Sequence, residues 1–169
     1  MKKRFNLSQE IKLLLLKNQY YLKYNRNKKT YIYEENYHKR IKDPDGKIRD
    51  LTTEKKQKLR QLRYIVSYLK SKKPCKILDV GCGHGWLLST LNSKWKKYGV
   101  EISKFASRSA LKYCKIFNGD LEKYKEKNFD IITALHIIEH HSKPEKFIKQ
   151  IYSKLKRNGI LILETPDFD

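Results

Sequence analysis

Short apolar runs alternate with amphipathic segments through the second half of the chain. In each amphipathic segment the apolar residues recur every three or four positions, which is the spacing of one helix face. Strands and helices that alternate in this way predict an α/β fold with a doubly wound, mainly parallel sheet. The predicted strands span residues 76–80, 97–101, 115–118, 129–135 and 159–165, and the predicted helices span residues 85–93, 103–113 and 144–156.

A longer amphipathic segment precedes the first of these strands. It predicts a helix over residues 54–72 that has Thr53 as its N-cap and buries one apolar face. The last predicted helix is expected to end in a left-handed cap at Asn158 and Gly159, because both residue types accept a positive φ angle. The apolar positions on the face of the first helix are Leu59, Leu62, Val66 and Leu69.

Residues 1–50 are interpreted as a separate extension of helical or irregular structure, and residues 51–169 as the core domain. Within the extension, Ser8 is a candidate N-cap for a helix over residues 9–24. The extension is also rich in tyrosine. These tyrosines either form a lid over a site on the sheet or pack against the sheet, and the sequence leaves both alternatives open. They are Tyr20, Tyr21, Tyr24, Tyr31, Tyr33 and Tyr37.

The chain is strongly basic, with 39 Lys and Arg against 18 Asp and Glu and a formal net charge of +21. The excess is concentrated in residues 1–74, which hold 22 basic and 7 acidic residues. One interpretation is a basic arm that binds nucleic acid or an anionic substrate. We favour the alternative of a lysine-rich composition without a binding role, because Lys outnumbers Arg 31 to 8. Nucleic-acid readers prefer the arginine fork.

Three cysteines and a short apolar run bear on the cellular compartment. Cys75, Cys82 and Cys114 are an odd number without a CxxC pair, which argues against a disulfide framework and against a zinc site built on cysteine. We expect them to be small, partly buried residues of a reduced protein. The longest apolar run, residues 13–16, is too short to cross a bilayer. These features predict a cytoplasmic protein with no membrane span, and they leave its oligomeric state open.

The first predicted strand ends in an acid and runs directly into a glycine-rich loop. Glycines let the backbone turn tightly and let a ligand contact the main chain, since no Cβ blocks the approach. A strand, a glycine loop and a helix N-terminus together predict a nucleotide-binding corner. The spacing of the glycines is GxGxG, whereas the dinucleotide fingerprint is GxGxxG. The residues are Asp79 at the strand end and Gly81, Gly83 and Gly85 in the loop.

Acidic residues follow the next two predicted strands. Glu101 ends the second strand, where a carboxylate can accept hydrogen bonds from both hydroxyls of a ribose. An acid at a strand end is weak evidence by itself. Glu101 follows a glycine loop by one helix and one strand, and this position makes the interpretation stronger. Asp120 follows the third strand directly after Gly119, a pair that also fits an ordinary turn.

The fourth predicted strand delivers a histidine to its carboxyl end. Ligands of open α/β sheets bind at that edge, so we expect His136 to lie near a bound ligand. The run His136-x-x-Glu139-His140 also matches the HxxEH pattern of one metalloprotease class. We reject that interpretation, because those ligands lie on a helix and here the first histidine ends a strand. Glu139 and His140 otherwise fit a helix start that packs against the sheet.

The GxGxG loop with Asp79 two residues ahead resembles motif I of the S-adenosylmethionine-dependent methyltransferases with a Rossmann-like fold. Glu101, the run over residues 117–121 and the run over residues 155–162 resemble further motifs of this superfamily in the same order. The best match is the group of small-molecule methyltransferases related to the ubiquinone and sugar enzymes. Their sheet has seven strands, so the resemblance implies a Rossmann-like sheet that is apparently truncated after the fifth strand.

The resemblance implies S-adenosylmethionine as the cofactor. Glu101 would hold its ribose, Asp79 would anchor the amino end of its methionine, and the acid after the third strand would meet its adenine together with the N–H of the next residue. The implied cofactor-binding residues are Asp79, Gly81, Cys82, Gly83, Gly85, Glu101, Ile102, Asp120, Leu121, Leu135 and His136.

The resemblance further implies methyl transfer to an oxygen or nitrogen of a small-molecule acceptor that is sugar-like, lipid-like or quinone-like. His136 is the first candidate for a catalytic base and His140 is the second. Some quinone enzymes of this superfamily place a divalent ion at an ExxEH motif, but His136 replaces the first Glu here, and we predict no metal. The alternatives are a nucleic-acid methyltransferase that uses the basic arm and a cofactor-binding remnant without catalysis.

Overall fold

One sheet of six parallel strands organises the part of the chain that the computed structural model describes, which is residues 12–13 and 50–165. The strands are β1 (Lys12–Leu13), β2 (Lys76–Val80), β3 (Lys96–Glu101), β4 (Lys115–Asn118), β5 (Phe129–Leu135) and β6 (Leu155–Glu164). Their order in the sheet is β1-β6-β5-β2-β3-β4, and every neighbouring pair is parallel. The predicted α/β fold with a parallel sheet is therefore confirmed.

Helices cover both faces of this sheet. They are α1 (Leu51–Gln61), α2 (Arg63–Lys70), α3 (Trp86–Ser89), α4 (Lys104–Ala110) and α5 (Pro144–Tyr152), with a 3₁₀ turn at Ile138–His140. Alternate residues of β2 and β5 enter two different apolar clusters, as the pleat of a strand requires. Leu78 and Ile132 pack with α5, whereas Ile77 and Ile131 pack with α2 and α3.

The first long amphipathic segment forms two helices instead of the single predicted helix over residues 54–72. Its N-cap is Asp50, not Thr53, because the Asp50 carboxylate accepts hydrogen bonds from the backbone N–H groups of Thr52 and Thr53 at 2.7 and 2.8 Å. The helix is interrupted at Leu62, whose ψ angle of 8° ends α1 and starts α2. Leu62 is itself buried at 3% exposure, so the interruption lies in the core.

The boundary between the last helix and the last strand also differs from the prediction. The helix α5 ends at Tyr152, not at residue 156, and β6 starts at Leu155, not at residue 159. Leu155 pairs with Phe129 before the register shifts, and this pairing draws residues 155–158 into the sheet. Asn158 has the expected positive φ of 61°, but it lies at the irregularity in β6 and does not cap the helix.

Two residues of the N-terminal extension belong to the sheet. Lys12–Leu13 pair in parallel with Ile160 and Leu161 of β6, which contradicts the helix predicted over residues 9–24 at these positions. The fifth strand of the prediction therefore has neighbours on both sides. The other predictions for residues 1–49, including the tyrosine lid, lie outside the described residues. No helix in the described part of the chain is long and apolar enough to cross a membrane.

Candidate functional site

The carboxyl ends of the parallel strands meet at one edge of the sheet. The chain runs outward from β2 to β3 and β4, and then returns to the other side of β2 to form β5 and β6. This reversal makes a switch point between β2 and β5, which is where open α/β sheets bind their ligands. Asp79, Glu101 and His136 lie at or next to these strand ends, so the structure brings the predicted strand-end residues to one edge.

The three loop glycines have different structural reasons to be glycine. A Cβ on Gly81 would overlap the Cδ1 atom of Ile137, and a Cβ on Gly85 would lie 3.1 Å from the Cβ of Ala110. Gly83 has a φ of +52°, yet a Cβ there would meet no atom within 4 Å. The outer glycines therefore pack closely against the protein, whereas the middle glycine borders open space that a ligand can enter.

Glu101 ties the glycine loop to the start of α4. Its Oε2 atom accepts a hydrogen bond from the backbone N–H of Gly83, and its Oε1 atom accepts one from the backbone N–H of Ser103, both at 2.8 Å. The residue is 8% exposed. Two charge-assisted bonds hold the carboxylate in one orientation, and each of its oxygens retains a lone pair for a ligand.

Asp79 is a buried acid below the glycine loop. It is 4% exposed, and its Oδ1 atom accepts a hydrogen bond of 2.6 Å from the hydroxyl of Thr133. Burial raises the pKa of Asp79 to about 7, and the nearby Glu101 charge adds to the rise, while Thr133 and Lys58 oppose it. The carboxyl of Asp79 therefore takes up a proton at a much higher pH than an exposed aspartate does.

The residues after β3 and β4 are less enclosed. Ile102 is 54% exposed, so it presents an apolar surface directly beside Glu101. Asp120 is exposed, and its Oδ1 atom accepts a hydrogen bond from the backbone N–H of Glu122 at 2.7 Å. Leu121 is buried at 4% exposure in the core. The contacts of Asp120 among the described residues are those of a turn, and its role toward adenine stays a prediction.

His136 is joined to a residue that the sequence interpretation missed. It has a φ of 55°, an uncommon value for a residue other than glycine. Its backbone N–H donates to the carbonyl of Glu164 at 2.8 Å, and its Nε2 atom lies 2.9 Å from Oε1 of the same residue. The hydrogen bond with His136 lowers the pKa of the Glu164 carboxyl. Unusual backbone geometry of this kind clusters at functional sites.

The side chains of the HxxEH run are not grouped as a cluster of metal ligands. Among residues 12–13 and 50–165, no group of three or more His, Cys, Asp or Glu could hold a metal ion. His140 lies in the 3₁₀ turn with its side chain 40% exposed, and its Nε2 atom is 3.9 Å from Oε1 of Glu139. The Oε2 atom of Glu139 is buried without a hydrogen-bond partner in the described structure. The side chain of His140 is therefore somewhat more exposed than that of His136, which is 32% exposed.

Several residues that shape the site could not be found from their own sequence context. Ile137 limits residue 81 to glycine, Thr133 bonds to Asp79, and Glu164 bonds to His136. Each contact joins segments that are distant in the chain, so only the strand order reveals it. Of the remaining predicted residues, Leu135 is partly buried against the α2 and α3 cluster, and Cys82 is buried in the glycine loop.

Comparison with known proteins gives a family match over most of the chain. The family model described as "Methyltransferase domain" matches residues 33–169. The chain is 32% identical over 140 residues to a ubiquinone biosynthesis O-methyltransferase of Pelagibacter ubique, covering 73% of this chain and 58% of that protein. It is 31% identical over 106 residues to a malonyl-[acyl-carrier protein] O-methyltransferase of Halalkalibacterium halodurans, covering 54% and 39%. The chain thus spans about half the length of these relatives.

Solved structures share the fold. A SAM-dependent methyltransferase from Archaeoglobus fulgidus superposes with a TM-score of 0.58 and 22% identity, over 67% of this chain and 53% of that one. The PH0226 protein from Pyrococcus horikoshii superposes with a TM-score of 0.56 and 25% identity, over 67% and 55%. The predicted Rossmann-like architecture is therefore confirmed by structures as well as by the strand order.

Proposed function

The chain belongs to the methyltransferase domain family, and from this we propose that it binds S-adenosylmethionine and methylates a small-molecule acceptor. The main support for the proposal is a glycine that borders free space and is hydrogen-bonded to a carboxylate of fixed orientation. Gly83 borders free space, and its N–H is bonded to Glu101 at the end of β3. This arrangement suits a ligand that approaches the main chain and offers hydroxyl groups to an acid.

The residues at this edge fit the parts of the cofactor. We assign the methionine portion to the glycine loop, which includes Cys82, and the ribose hydroxyls to Glu101. The exposed side chain of Ile102 suits one face of the adenine ring, and the N–H of Leu121 with the carboxylate of Asp120 suits the adenine edge. Asp79, Gly81, Gly83 and Gly85 complete the proposed cofactor-binding residues. Leu135 and His136, which the resemblance also implied as cofactor contacts, lie at the end of β5, and we assign this side to the acceptor.

Asp79 is proposed to meet the amino end of the methionine. An ammonium group near this carboxyl would favour its charged form and so oppose the burial that raises its pKa to about 7. The binding of a cation would then release a proton from the protein near neutral pH.

When bound, S-adenosylmethionine supplies a methyl group that is activated by its sulfonium. The protein therefore mainly positions the two reactants. If the acceptor is a hydroxyl, His136 is our candidate for the base that takes its proton. Glu164 lies against Nε2, which favours the imidazole tautomer with its proton on that atom and leaves the lone pair of Nδ1 to act as the base. His140 is the second candidate.

The names of the relatives guide the choice of acceptor. The ubiquinone and malonyl-[acyl-carrier protein] proteins are both O-methyltransferases by name, so we propose an oxygen acceptor on a quinone-like, sugar-like or lipid-like molecule before a nitrogen acceptor. A cytoplasmic location is part of the same proposal. Nucleic acid is not favoured as the acceptor, and of the basic residues 1–74 that motivated this alternative the structure describes only residues 12–13 and 50–74.

The test is methyl transfer from labelled S-adenosylmethionine to a panel of dihydroxybenzoates, sugars and malonyl thioesters. We expect a labelled product from at least one class of oxygen acceptor. His136→Ala should lose turnover and keep its affinity for the cofactor, whereas His140→Ala should retain both. Loss of turnover in His140→Ala alone would transfer the role of base to His140. Cofactor binding without any product would favour the non-catalytic alternative.

A further inference from the structure

The sulfur atoms of two cysteines, Cys82 and Cys114, lie next to Gly99, which has no side chain. Gly99 lies in the middle of β3, and a Cβ built there would be 2.6 Å from the Sγ atom of Cys82 and 3.2 Å from the Sγ atom of Cys114. Both sulfurs therefore contact the same small volume above the strand. Because any larger residue at position 99 would fill that volume, the glycine allows the two thiols to approach each other.

The two thiols belong to segments with different tasks. Cys82 lies in the glycine loop between Gly81 and Gly83 and is 8% exposed, while Cys114 immediately precedes β4 and is partly exposed. The Sγ atom of Cys114 lies 3.6 Å from the carbonyl oxygen of Ala110 at the end of α4. A bond between the sulfurs would therefore connect the cofactor loop to the α4–β4 corner.

The surroundings make the two thiols unequal. A hydrogen bond from the Cys82 thiol lowers the pKa of Cys114, and Lys97 acts in the same direction against the effects of burial and of Asp79. The same hydrogen bond, with burial, raises the pKa of Cys82. Cys114 is partly exposed whereas Cys82 is buried, so Cys114 is the sulfur that an oxidant in the solvent meets first and Cys82 is placed to react second. The lowered pKa of Cys114 acts in the same direction, since the thiolate is the reactive form.

We propose that Cys82 and Cys114 form a reversible disulfide under peroxide, and that this disulfide weakens cofactor binding at the glycine loop. The disulfide itself does not depend on the function proposed above, but its effect on the cofactor does. The cysteines were expected to be small, partly buried residues of a reduced protein. All three are free thiols in the structure, and the proposal adds a second state for two of them.

The chemistry is balanced with hydrogen peroxide as the oxidant. The Cys114 thiolate attacks one peroxide oxygen, the O–O bond breaks, and a sulfenic acid forms while the departing hydroxide takes a proton to become water. The Cys82 sulfur then attacks the sulfenic sulfur, the S–O bond breaks, and the proton of Cys82 leaves with the hydroxide as a second water. Two thiols are oxidised by two electrons, and a dithiol reductant reverses the reaction by exchange.

The expected effect on the loop follows from distances. A disulfide holds its sulfurs roughly 2.05 Å apart, which is closer than two thiols in van der Waals or hydrogen-bond contact. The glycine loop and the corner before β4 must move toward each other to reach this distance. The neighbouring N–H of Gly83 is bonded to Glu101 at 2.8 Å, and the N–H groups of Gly81 and Cys82 share the carbonyl of Val100. A displaced Cys82 disturbs these contacts, and with them the proposed cofactor cradle.

The experiment compares the peroxide-treated and dithiothreitol-reduced forms of the full chain. Remaining thiols are blocked, and a tryptic digest without reduction is analysed by mass spectrometry, since lysines separate the three cysteines into different peptides. We expect a peptide that links Cys82 to Cys114. Calorimetry should show at least tenfold weaker binding of S-adenosylmethionine after oxidation and full recovery after dithiothreitol.

Two variants provide the controls. Cys114→Ser should form no link and should keep the affinity of the reduced protein after peroxide treatment, whereas Cys75→Ser should behave as the wild type. Oxidation that stops at sulfinic acid, or a link that involves Cys75, would overturn the disulfide, and a correct link with unchanged affinity would overturn its effect. If the reduced chain binds no S-adenosylmethionine, the proposed function fails and the effect fails with it, while the linked peptide still decides the disulfide.

Discussion

The two halves of the sheet edge are built in different ways. On the side of β2 and β3, backbone groups and buried acids hold each other, as the bonds from Glu101 to Gly83 and Ser103 show. On the side of β5 and β6, one pair of side chains, His136 and Glu164, is about one-third exposed. The first half is fixed before a ligand arrives, while the second half presents side chains to one. We infer that the fixed half serves the cofactor and the open half serves the acceptor.

The largest loss of stability is expected when a glycine of the loop on the β2 and β3 side, the fixed half, is replaced by alanine. Gly81→Ala would overlap Ile137 and force an alanine into a left-handed conformation, with a loss of about 4 kcal/mol in the free energy of unfolding. Gly83→Ala has the same backbone problem but no overlap, so its loss should be about 1–2 kcal/mol. Urea denaturation measures both variants. Equal losses would show that Ile137 does not restrict the loop.

The second largest effect is the dependence of protein stability on pH that Asp79 causes. Its pKa is raised from 3.8 to about 7, so the folded state binds more protons than the unfolded state between these values. The contribution of Asp79 to the stability of the protein is therefore fully present below pH 4, and it is lost as the pH rises to about 7. The decrease should be on the order of 3 kcal/mol relative to Asp79→Asn. The measurement is urea denaturation of both proteins between pH 4 and 8, and parallel pH profiles would refute the assignment.

A smaller effect, on turnover, is expected from a substitution on the β5 and β6 side, the open half. Glu164→Gln keeps a hydrogen-bond acceptor but removes the charge beside His136. We expect turnover to fall by about tenfold, less than the roughly 10²–10⁴ that a general base contributes, with an unchanged affinity for S-adenosylmethionine. Nitrogen NMR of the neutral imidazole should show the proton on Nε2 in the wild type and a mixed population in the variant. Glu145→Gln, an exposed acid in the first turn of α5, is the matched control.

A similar loss of cofactor affinity and turnover in Glu164→Gln would contradict the division of the site into two halves. It would mean that the β5 and β6 side also holds the cofactor.

The smallest effect is expected for His140→Ala. The side chain is 40% exposed, and its distance of 3.9 Å from Glu139 is long for an ion pair. Stability should change by about 0.5 kcal/mol or less, and cofactor affinity should stay the same. Thermal unfolding and calorimetry check both quantities, and a large change in either would show that the 3₁₀ turn belongs to the fixed half.

The same contrast explains what the sequence could reveal. The strands over residues 76–80, 115–118 and 129–135 were predicted with their observed bounds, because each is an apolar or β-prone run bounded by a clear change in pattern. The glycine loop and Glu101 are local signals of the same kind. The predicted start of the first helix was wrong because Asp50, and not Thr53, provides the local cap. The predicted end of the last helix was wrong because a tertiary contact, the pairing of Leu155 with Phe129, decides it.

The open half was less predictable, since its contacts join distant segments. His136 could be placed at a strand end from the sequence, but its bond to Glu164 depends on the pairing of β5 with β6. In the same way, Gly81 was expected to be a ligand contact, and the structure adds its packing against Ile137. The spacing of residues in the sequence predicts which residues lie at the edge of a sheet. The strand order determines which of them are in contact.

The most direct test is a calorimetric titration of S-adenosylmethionine into the purified chain and into Glu101→Gln, with Glu122→Gln as an exposed control. We expect micromolar binding by the wild type and by Glu122→Gln. Binding by Glu101→Gln should be lost or at least tenfold weaker, because the ribose loses its charged acceptor. A folded wild-type chain that does not bind, or a Glu101→Gln variant that binds as tightly as the wild type, would contradict the assignment of this edge as a cofactor site.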